Sequence, residues 1–356
     1  MKLKSLILGE DKIKYPIIQG GMGVGISLSS LAGAVAKVGG IGIISTAQIG
    51  YRESDYDKNP IEANLRAIKQ ELDKARAIAP KGFLGFNIMV ATRYYERYIK
   101  AAVEAGADII VSGAGLPTDL PKLVEGSKTK IAPIVSSVKS ANVICKLWER
   151  HYNRLPDMVI IEGPQAGGHL GFKAEEVLTY TEDSYGEVIV NIVEAVKSFA
   201  SKYNIKIPVV VGGGIYSHED VIRNIGYGAD GVQVASRFVP TYECDAPLVY
   251  KEAYIKAAKE DIVITKSPVG MPGRAILNPF LKKLKEGNIK PKTCHQCITK
   301  CNPATIPYCI TDALVNAAKG NLDEALLFCG AKASMIEKLE SVEDVIMSLM
   351  GQECIQ

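Results

Sequence analysis

Eight short runs of apolar and β-favouring residues recur between residues 15 and 238 of the 356-residue chain. Several of these runs lack an alternation of polar and apolar positions, which is expected when a strand of a parallel sheet is buried on both faces. The eight runs are residues 15–21, 41–46, 82–90, 107–115, 130–137, 157–163, 207–215 and 229–238. The pattern therefore predicts eight buried, parallel strands.

The segments between these runs have the periodicity and the end signals of helices. Residues 59–78, 94–106 and 217–228 are three examples; the first has Pro60 in its opening turn, and the second ends on Gly106. Strands and helices that alternate in eight units favour an α/β fold of the (β/α)8 TIM-barrel type over a doubly wound sheet. Extra residues between the second and third strands, and between the sixth and seventh, predict inserted loops or lids.

The pattern changes after about residue 240. Residues 245–265 favour a helix and then an extended segment, residues 267–280 are rich in Pro and Gly, and residues 311–349 are again helical in pattern. We therefore predict two regions: a barrel over residues 1–240 and a mostly helical C-terminal region over residues 241–356, which contains a cysteine cluster.

Composition narrows the classes of partner. Hydrophobic residues make up 47% of the chain, charged residues 23%, and the formal net charge is +3 without any basic block, so nothing favours nucleic acid or an anionic membrane as a partner. The apolar run near the N-terminus is shorter than a signal peptide requires, and no apolar stretch reaches the roughly 18 residues of a membrane helix. We predict a cytoplasmic protein, whose eight cysteines are reduced thiols or metal ligands rather than disulfides.

Glycines and other small residues gather at the predicted carboxyl ends of the strands, where such barrels carry their active sites. Gly213 and Gly214 follow the seventh strand, and Ala235 and Ser236 follow the eighth. Small side chains leave the backbone N–H groups open to phosphate oxygens, so these two turns predict a phosphate site. The pattern does not say which compound carries the phosphate.

His169 follows the sixth predicted strand directly after two glycines. Imidazole titrates near neutral pH and can accept or donate a proton, so this position predicts a catalytic histidine. The alternative is a structural histidine that is hydrogen-bonded to the backbone. For His151, His218 and His295 we predict the structural role.

Five segments together resemble a known family. "YPIIQGGMG", "GFNIM", "GPQAGGHLG", "VVVGGGI" and "GVQVASRF" are similar to the nitronate monooxygenases, formerly called 2-nitropropane dioxygenases, and to the related flavin-dependent type II enoyl-acyl-carrier-protein reductases. "GRAILN" (273–278) resembles a later segment of both, so the resemblance covers roughly residues 12–280.

The resemblance implies an FMN-dependent oxidoreductase, most similar to enzymes that oxidise nitronates and nitroalkanes with O2. An NAD(P)H-dependent enoyl-acyl-carrier-protein reductase, or another NAD(P)H:flavin or quinone reductase, remains the alternative within this class. Outside it, a flavin-free, phosphate-binding lyase or isomerase would use the same turns. In each case the partner is a small-molecule substrate, with NAD(P)H as a further candidate partner.

The resemblance also implies roles for individual residues. His169 matches the histidine that acts as a base in the family. The residues expected to hold FMN are Gly21, Met22 and Asn87 at the flavin ring, Gly168 next to the histidine, Gln233 facing the cofactor, and Gly213, Gly214, Ala235 and Ser236 at the phosphate. The family often has Glu at the position of Gln165, so this chain lacks one charge that would be expected beside His169.

The C-terminal region contains four cysteines in the spacing C-x2-C-x3-C-x7-C. Thiolates that lie this close along a chain bind zinc or iron–sulfur clusters, so Cys294, Cys297, Cys301 and Cys309 are candidate metal ligands. His295, within the first C-x2-C, could replace one cysteine at a zinc ion. The alternative is that the four are ordinary reduced thiols of a loop.

Overall fold

The computed structural model describes residues 3–291 and 293–352, and eight parallel strands close into a barrel. A short antiparallel hairpin, β1 (Leu6–Leu8) and β2 (Asp11–Ile13), precedes the barrel. The barrel strands are β3 (Ile17–Gln19), β4 (Ile41–Ser45), β5 (Phe83–Met89), β6 (Ile109–Gly113), β7 (Lys130–Val135), β8 (Val159–Glu162), β10 (Val209–Gly212) and β11 (Gly231–Val234), while the two-residue strand β9 (Gly168–His169) lies outside it. The predicted (β/α)8 barrel and its eight strands are confirmed.

Helices connect these strands and cover the outside of the barrel. They are α1 (Ser29–Val38), α2 (Pro60–Ile78), α3 (Tyr95–Ala105), α4 (Leu120–Leu123), α5 (Val138–Tyr152), α6 (Ala174–Thr179), α7 (Glu182–Lys202) and α8 (His218–Gly226). Two helix ends lie where the sequence predicted them: Pro60 is the first residue of α2, and Gly106 follows the last residue of α3 with φ of 87°. The insertion predicted between the sixth and seventh strands contains α6.

The barrel strands face two apolar layers, which explains why their sequences do not alternate. Ile41 and Ile43 of β4 belong to the cluster that fills the barrel interior, together with Leu6 and Leu8 of the N-terminal hairpin. Ile44, the next residue of the strand, belongs to the cluster between the strands and the helices. Both kinds of position are buried, so apolar residues occupy each of them.

The C-terminal region continues with α9 (Leu248–Lys256), β12 (Ile262–Lys266), β13 (Pro272–Ile276), α10 (Pro279–Glu286), α11 (Ile310–Lys319) and α12 (Val342–Leu349). The mostly helical extension is confirmed, and it also contributes strands: β12, β13 and β9 form a three-stranded antiparallel sheet in which Gly273 of β13 is paired with His169. One apolar cluster joins Ile17 and Leu31 of the barrel to Ile346 and Leu349 of α12. The domain boundary at residue 240 stays a prediction.

Helix length and polarity bear on the predicted location. The 21-residue helix α7 carries charged residues such as Glu187, Glu194 and Lys197. Within residues 3–291 and 293–352, no helix is long and apolar enough to cross a membrane. The cytoplasmic location stays a prediction.

Candidate active site

A cavity of about 420 Å³ opens at the carboxyl ends of the barrel strands. This volume lies in the usual range for a small-molecule or cofactor site. The structure brings together around this cavity every residue predicted for FMN and catalysis: Gly21, Met22, Asn87, Gly168, His169, Gly213, Gly214, Gln233, Ala235 and Ser236. The four predicted metal cysteines do not line it, and neither do His151, His218 and His295.

The wall formed by the first and third barrel strands requires a glycine. A Cβ atom on Gly21 would lie 2.4 Å from Cβ of Asn87, much closer than two carbons can approach. Glycine at this position therefore lets the chain after β3 pass directly over the asparagine that lines the cavity. The resemblance assigned both residues to the flavin ring, and the geometry fits a flat ligand against a bare backbone.

The turn after β10, which we predict to bind phosphate, requires glycine at two positions. Gly213 and Gly214 have φ of +106° and +71°, which favour glycine strongly. A Cβ on Gly214 would lie 2.0 Å from Oε1 of Gln165. The structure thus places the Gln165 side chain against the predicted phosphate turn. The negative charge of a Glu at this position would lie at that turn, whereas the sequence suggested only that it would lie beside His169.

Arg237, directly after Ala235 and Ser236 in the turn that follows β11, is a basic residue that sequence reasoning missed. It lines the cavity, its Nη1 pairs with Glu340, and its guanidinium lies over the Tyr216 ring at 5.0 Å. Among the buried side-chain nitrogens and oxygens of the described residues, only Arg237 Nε has no hydrogen-bond partner. A buried donor without a partner is costly, so this atom indicates an anionic acceptor such as phosphate. The sequence signal for Arg237 was its place directly after Ser236, in the "SRF" that ends the segment "GVQVASRF".

His169 lies on β9, outside the barrel and over the cavity. Its Nε2 is 2.6 Å from Oγ of Ser267, and its ring meets the edge of the Phe328 ring at 4.9 Å between centroids. Burial lowers the pKa of His169 from 6.5 to about 4. The imidazole is therefore unprotonated at neutral pH and can accept a proton or a hydrogen bond.

The C-terminal region holds the segment that carries His169. Arg274 of β13 donates from Nη1 to the carbonyl of Ala166, and Leu170 N donates to the carbonyl of Pro272 at 2.9 Å. A Cβ on Gly167 would lie 2.5 Å from the backbone of Cys329, so this glycine permits close packing. The position of the histidine thus depends on contacts with residues after 240.

Glu162, at the end of β8, is a second titratable group of the cavity. Its Oε1 accepts a hydrogen bond from Gly171 N at 2.9 Å. Burial raises the pKa of Glu162 to about 7, although this hydrogen bond lowers it. The carboxyl therefore exchanges its proton near neutral pH. Glu162 is a single charged residue at the end of an apolar run, and this pattern is the signal in the sequence that could have indicated a role for it.

We expect Glu162→Gln to raise the free energy of unfolding at pH 8 and not at pH 4. The folded pKa of about 7 lies above the ordinary 4.5, so the folded carboxyl holds its proton more tightly and the parent loses stability as the pH rises from 4.5 through 7. The gain from removing this charge is up to about 3 kcal/mol above pH 7. Urea unfolding at the two pH values measures it.

The exposed Glu125 provides the control, since Glu125→Gln should change stability equally little at both pH values. An identical effect of Glu162→Gln at pH 4 and pH 8 would contradict the raised pKa.

Comparison with known proteins defines the class. The chain is similar to FabK from Thermotoga maritima, with 25% identity and a TM-score of 0.73 over 95% of this chain and 92% of that one. It has the fold of the nitroalkane oxidase from Streptomyces ansochromogenes, with 18% identity and a TM-score of 0.69 over 96% of each chain. With the cavity described above, the class is that of the FMN-dependent barrel oxidoreductases. Residues 4–352 match the profile of the nitronate monooxygenase family, and the chain belongs to that family.

Individual relatives are distant but cover most of the chain. The protein is 28% identical over 311 residues to one named "Probable nitronate monooxygenase" from Staphylococcus saprophyticus, which covers 80% of this chain and 82% of the relative. It is 23% identical over 288 residues to a protein of Mycobacterium tuberculosis named "(3aS,4S,5R,7aS)-5-hydroxy-7a-methyl-1-oxo-octahydro-1H-indene-4-carboxyl-CoA dehydrogenase", a match that covers 81% of this chain and 70% of the relative. The protein is thus a nitronate monooxygenase-like oxidoreductase, and its own substrate is a separate question.

Proposed function

We propose that this protein oxidises nitronates with O2, and neutral nitroalkanes more slowly, with FMN in the cavity above the barrel. The observation that carries the proposal is the partly buried, unprotonated His169 on the wall of a cavity that otherwise fits a flavin. The family membership supports the same chemistry.

The residues present fit FMN. Gly213, Gly214, Ala235 and Ser236 would bind its phosphate through their backbone, with Arg237 supplying charge and the unpaired Nε. Gly21, Met22 and Asn87 would lie against the ring, and Gln233 and Gly168 would complete the wall. When bound, FMN would serve as the electron acceptor for the substrate and as the electron donor to O2.

His169 handles the proton of the substrate. A neutral nitroalkane must lose its α-proton before it can be oxidised. The Ser267 hydroxyl, 2.6 Å from Nε2 of His169, orients the ring. With Nε2–H donating to Ser267, Nδ1 of the neutral imidazole would be left to accept the proton. A pKa of about 4 makes His169 a weak base, while a preformed nitronate needs no base. Nitronates should therefore be the better substrates.

The second candidate is reduction of an enoyl thioester by NAD(P)H. The observation that favours it is the similarity to FabK, a name given to type II enoyl-acyl-carrier-protein reductases. The same cavity could hold either substrate over the flavin. The reductant distinguishes the two functions.

Anaerobic mixing of the purified protein with a nitronate, NADH and NADPH in turn tests the proposal. We expect the nitronate to bleach the flavin absorbance and admitted O2 to restore it. Bleaching by NADH or NADPH but not by nitronate would replace the proposal with the reductase. A colourless protein that does not take up added FMN would overturn both functions.

A further inference from the structure

The cysteine loop, residues 293–309, is fixed against the barrel. Arg93 N donates to the carbonyl of Cys297 at 3.0 Å, and Thr299 N donates to the carbonyl of Ala91 at 3.0 Å. Ala91 and Arg93 follow β5, the strand that carries Asn87 of the cavity. The thiols thus have defined places beside the active site, and they lie outside the cavity that the proposed function uses.

Three ligand types meet where this loop enters α11. Among the described residues, one set of three or more histidine, cysteine and acidic side chains places all its ligand atoms within 4.8 Å of one another, and it consists of His295, Cys309 and Asp312. His295 Nε2 lies 2.6 Å from Asp312 Oδ1, and the His295 ring stacks on the Tyr56 ring at 5.8 Å. A histidine held by a carboxylate at one nitrogen presents its other nitrogen in a fixed direction, as metal-binding histidines do.

Among the described residues, the other three cysteines of the loop do not belong to this tight set. Cys297 and Cys301 are partly buried and Cys294 is exposed. Cys294 and Cys297 flank His295 in the sequence, and Cys301 follows four residues after Cys297, so all three supply further thiols on the same short loop.

We propose that the cysteine loop binds a thiolate-ligated metal centre, either one zinc ion or one iron–sulfur cluster. Both take cysteine thiolates as ligands. A zinc ion would use the tight corner: Cys309 and His295, with Asp312 orienting the histidine, completed by thiols of the loop. An iron–sulfur cluster occupies more space between its ligands, so it would use the four cysteines and leave His295 outside.

The centre would reach the active site through two short connections. α11 begins at Ile310, directly after Cys309, and its Leu314 lines the cavity. Tyr308 is buried, and its hydroxyl is 3.4 Å from the carbonyl of Lys266, the residue before Ser267. A metal at Cys309 would therefore hold in place both part of the cavity wall and the turn that orients His169.

Metal analysis of the full-length protein, produced and purified without oxygen, tests the proposal. We expect either about one zinc or about four irons with matching sulfide per chain. Cys294→Ser with Cys297→Ser should remove the metal, while Cys145→Ala, at a buried cysteine of α5, should keep it. His295→Gln distinguishes the two kinds of centre, because it should lower the zinc content of a zinc protein and leave the iron content of an iron–sulfur protein unchanged.

FMN content is measured on the same samples, so that loss of metal is separated from loss of the fold and from failure of the proposed function. Cys301→Ser, a single change, provides a second variant should the double one not fold, and it should also lower the metal content. Parent protein with neither zinc nor iron, or with a metal content that neither the double variant nor Cys301→Ser changes, would overturn the proposal.

Discussion

Replacing His169 with asparagine is expected to lower kcat/KM for neutral nitroalkanes by about 10²–10⁴-fold, the usual contribution of a general base. Asparagine keeps a polar side chain near Ser267 but cannot accept the α-proton. Preformed nitronates have already lost this proton, so their turnover should fall much less. Parallel assays of a nitroalkane and its nitronate, with O2 consumption as the readout, measure the difference.

The pH profile adds a second readout for the same residue. Burial lowers the pKa of His169 to about 4, and protonation below that value removes the base. Activity on neutral nitroalkanes should therefore decline only as the pH falls toward about 4, not near 6.5. His218→Asn is the matched control, because His218 bonds the carbonyl of Leu349 at 2.9 Å outside the cavity. Equal losses on both substrate forms in His169→Asn would leave His169 as a structural residue.

Gly214→Leu is expected to weaken FMN binding by roughly 30- to 1000-fold, which corresponds to about 2–4 kcal/mol. Two effects combine: φ of +71° disfavours any side chain, and a side chain on residue 214 would enter the space of the Gln165 amide and block phosphate from the backbone. Titration of the apoprotein with FMN, followed by quenching of flavin fluorescence, measures the affinity.

Gly126 separates these two effects. It is exposed and has φ of +77°, and a Cβ added to it would have no described heavy atom within 4 Å beyond its chain neighbours. Gly126→Leu therefore introduces similar backbone strain without touching the predicted phosphate turn, and it should keep the affinity of the parent. If Gly214→Leu also binds FMN like the parent, the phosphate lies elsewhere.

The barrel and the positions of its glycines were predictable because their signals are local. A strand buried on both faces is an apolar run, and a turn that needs positive φ contains glycine, as at Gly213 and Gly214. Each can be recognised from a few neighbouring residues. The resemblance then assigned these positions to FMN, an assignment that stays a prediction for each residue.

The partners of His169 were not predictable in this way. Ser267 is 98 positions from the histidine whose ring it orients, and Arg274 is 108 positions from the carbonyl it binds. Both lie in or beside a segment rich in Pro and Gly, where no periodicity reveals which residues face the cavity. The pKa values of His169 and Glu162 depend on burial by several elements at once, so composition alone could not indicate them.

The pairing of β9 with β13 has a consequence for the cooperativity of the molecule. The barrel strands bond mainly to neighbours in chain order, whereas β9 has two residues and is paired with a strand about a hundred residues away. Separation of β9 from β13 alone would break few hydrogen bonds compared with opening of the barrel. We therefore expect His169 to belong to a unit that can open locally while the barrel strands stay paired.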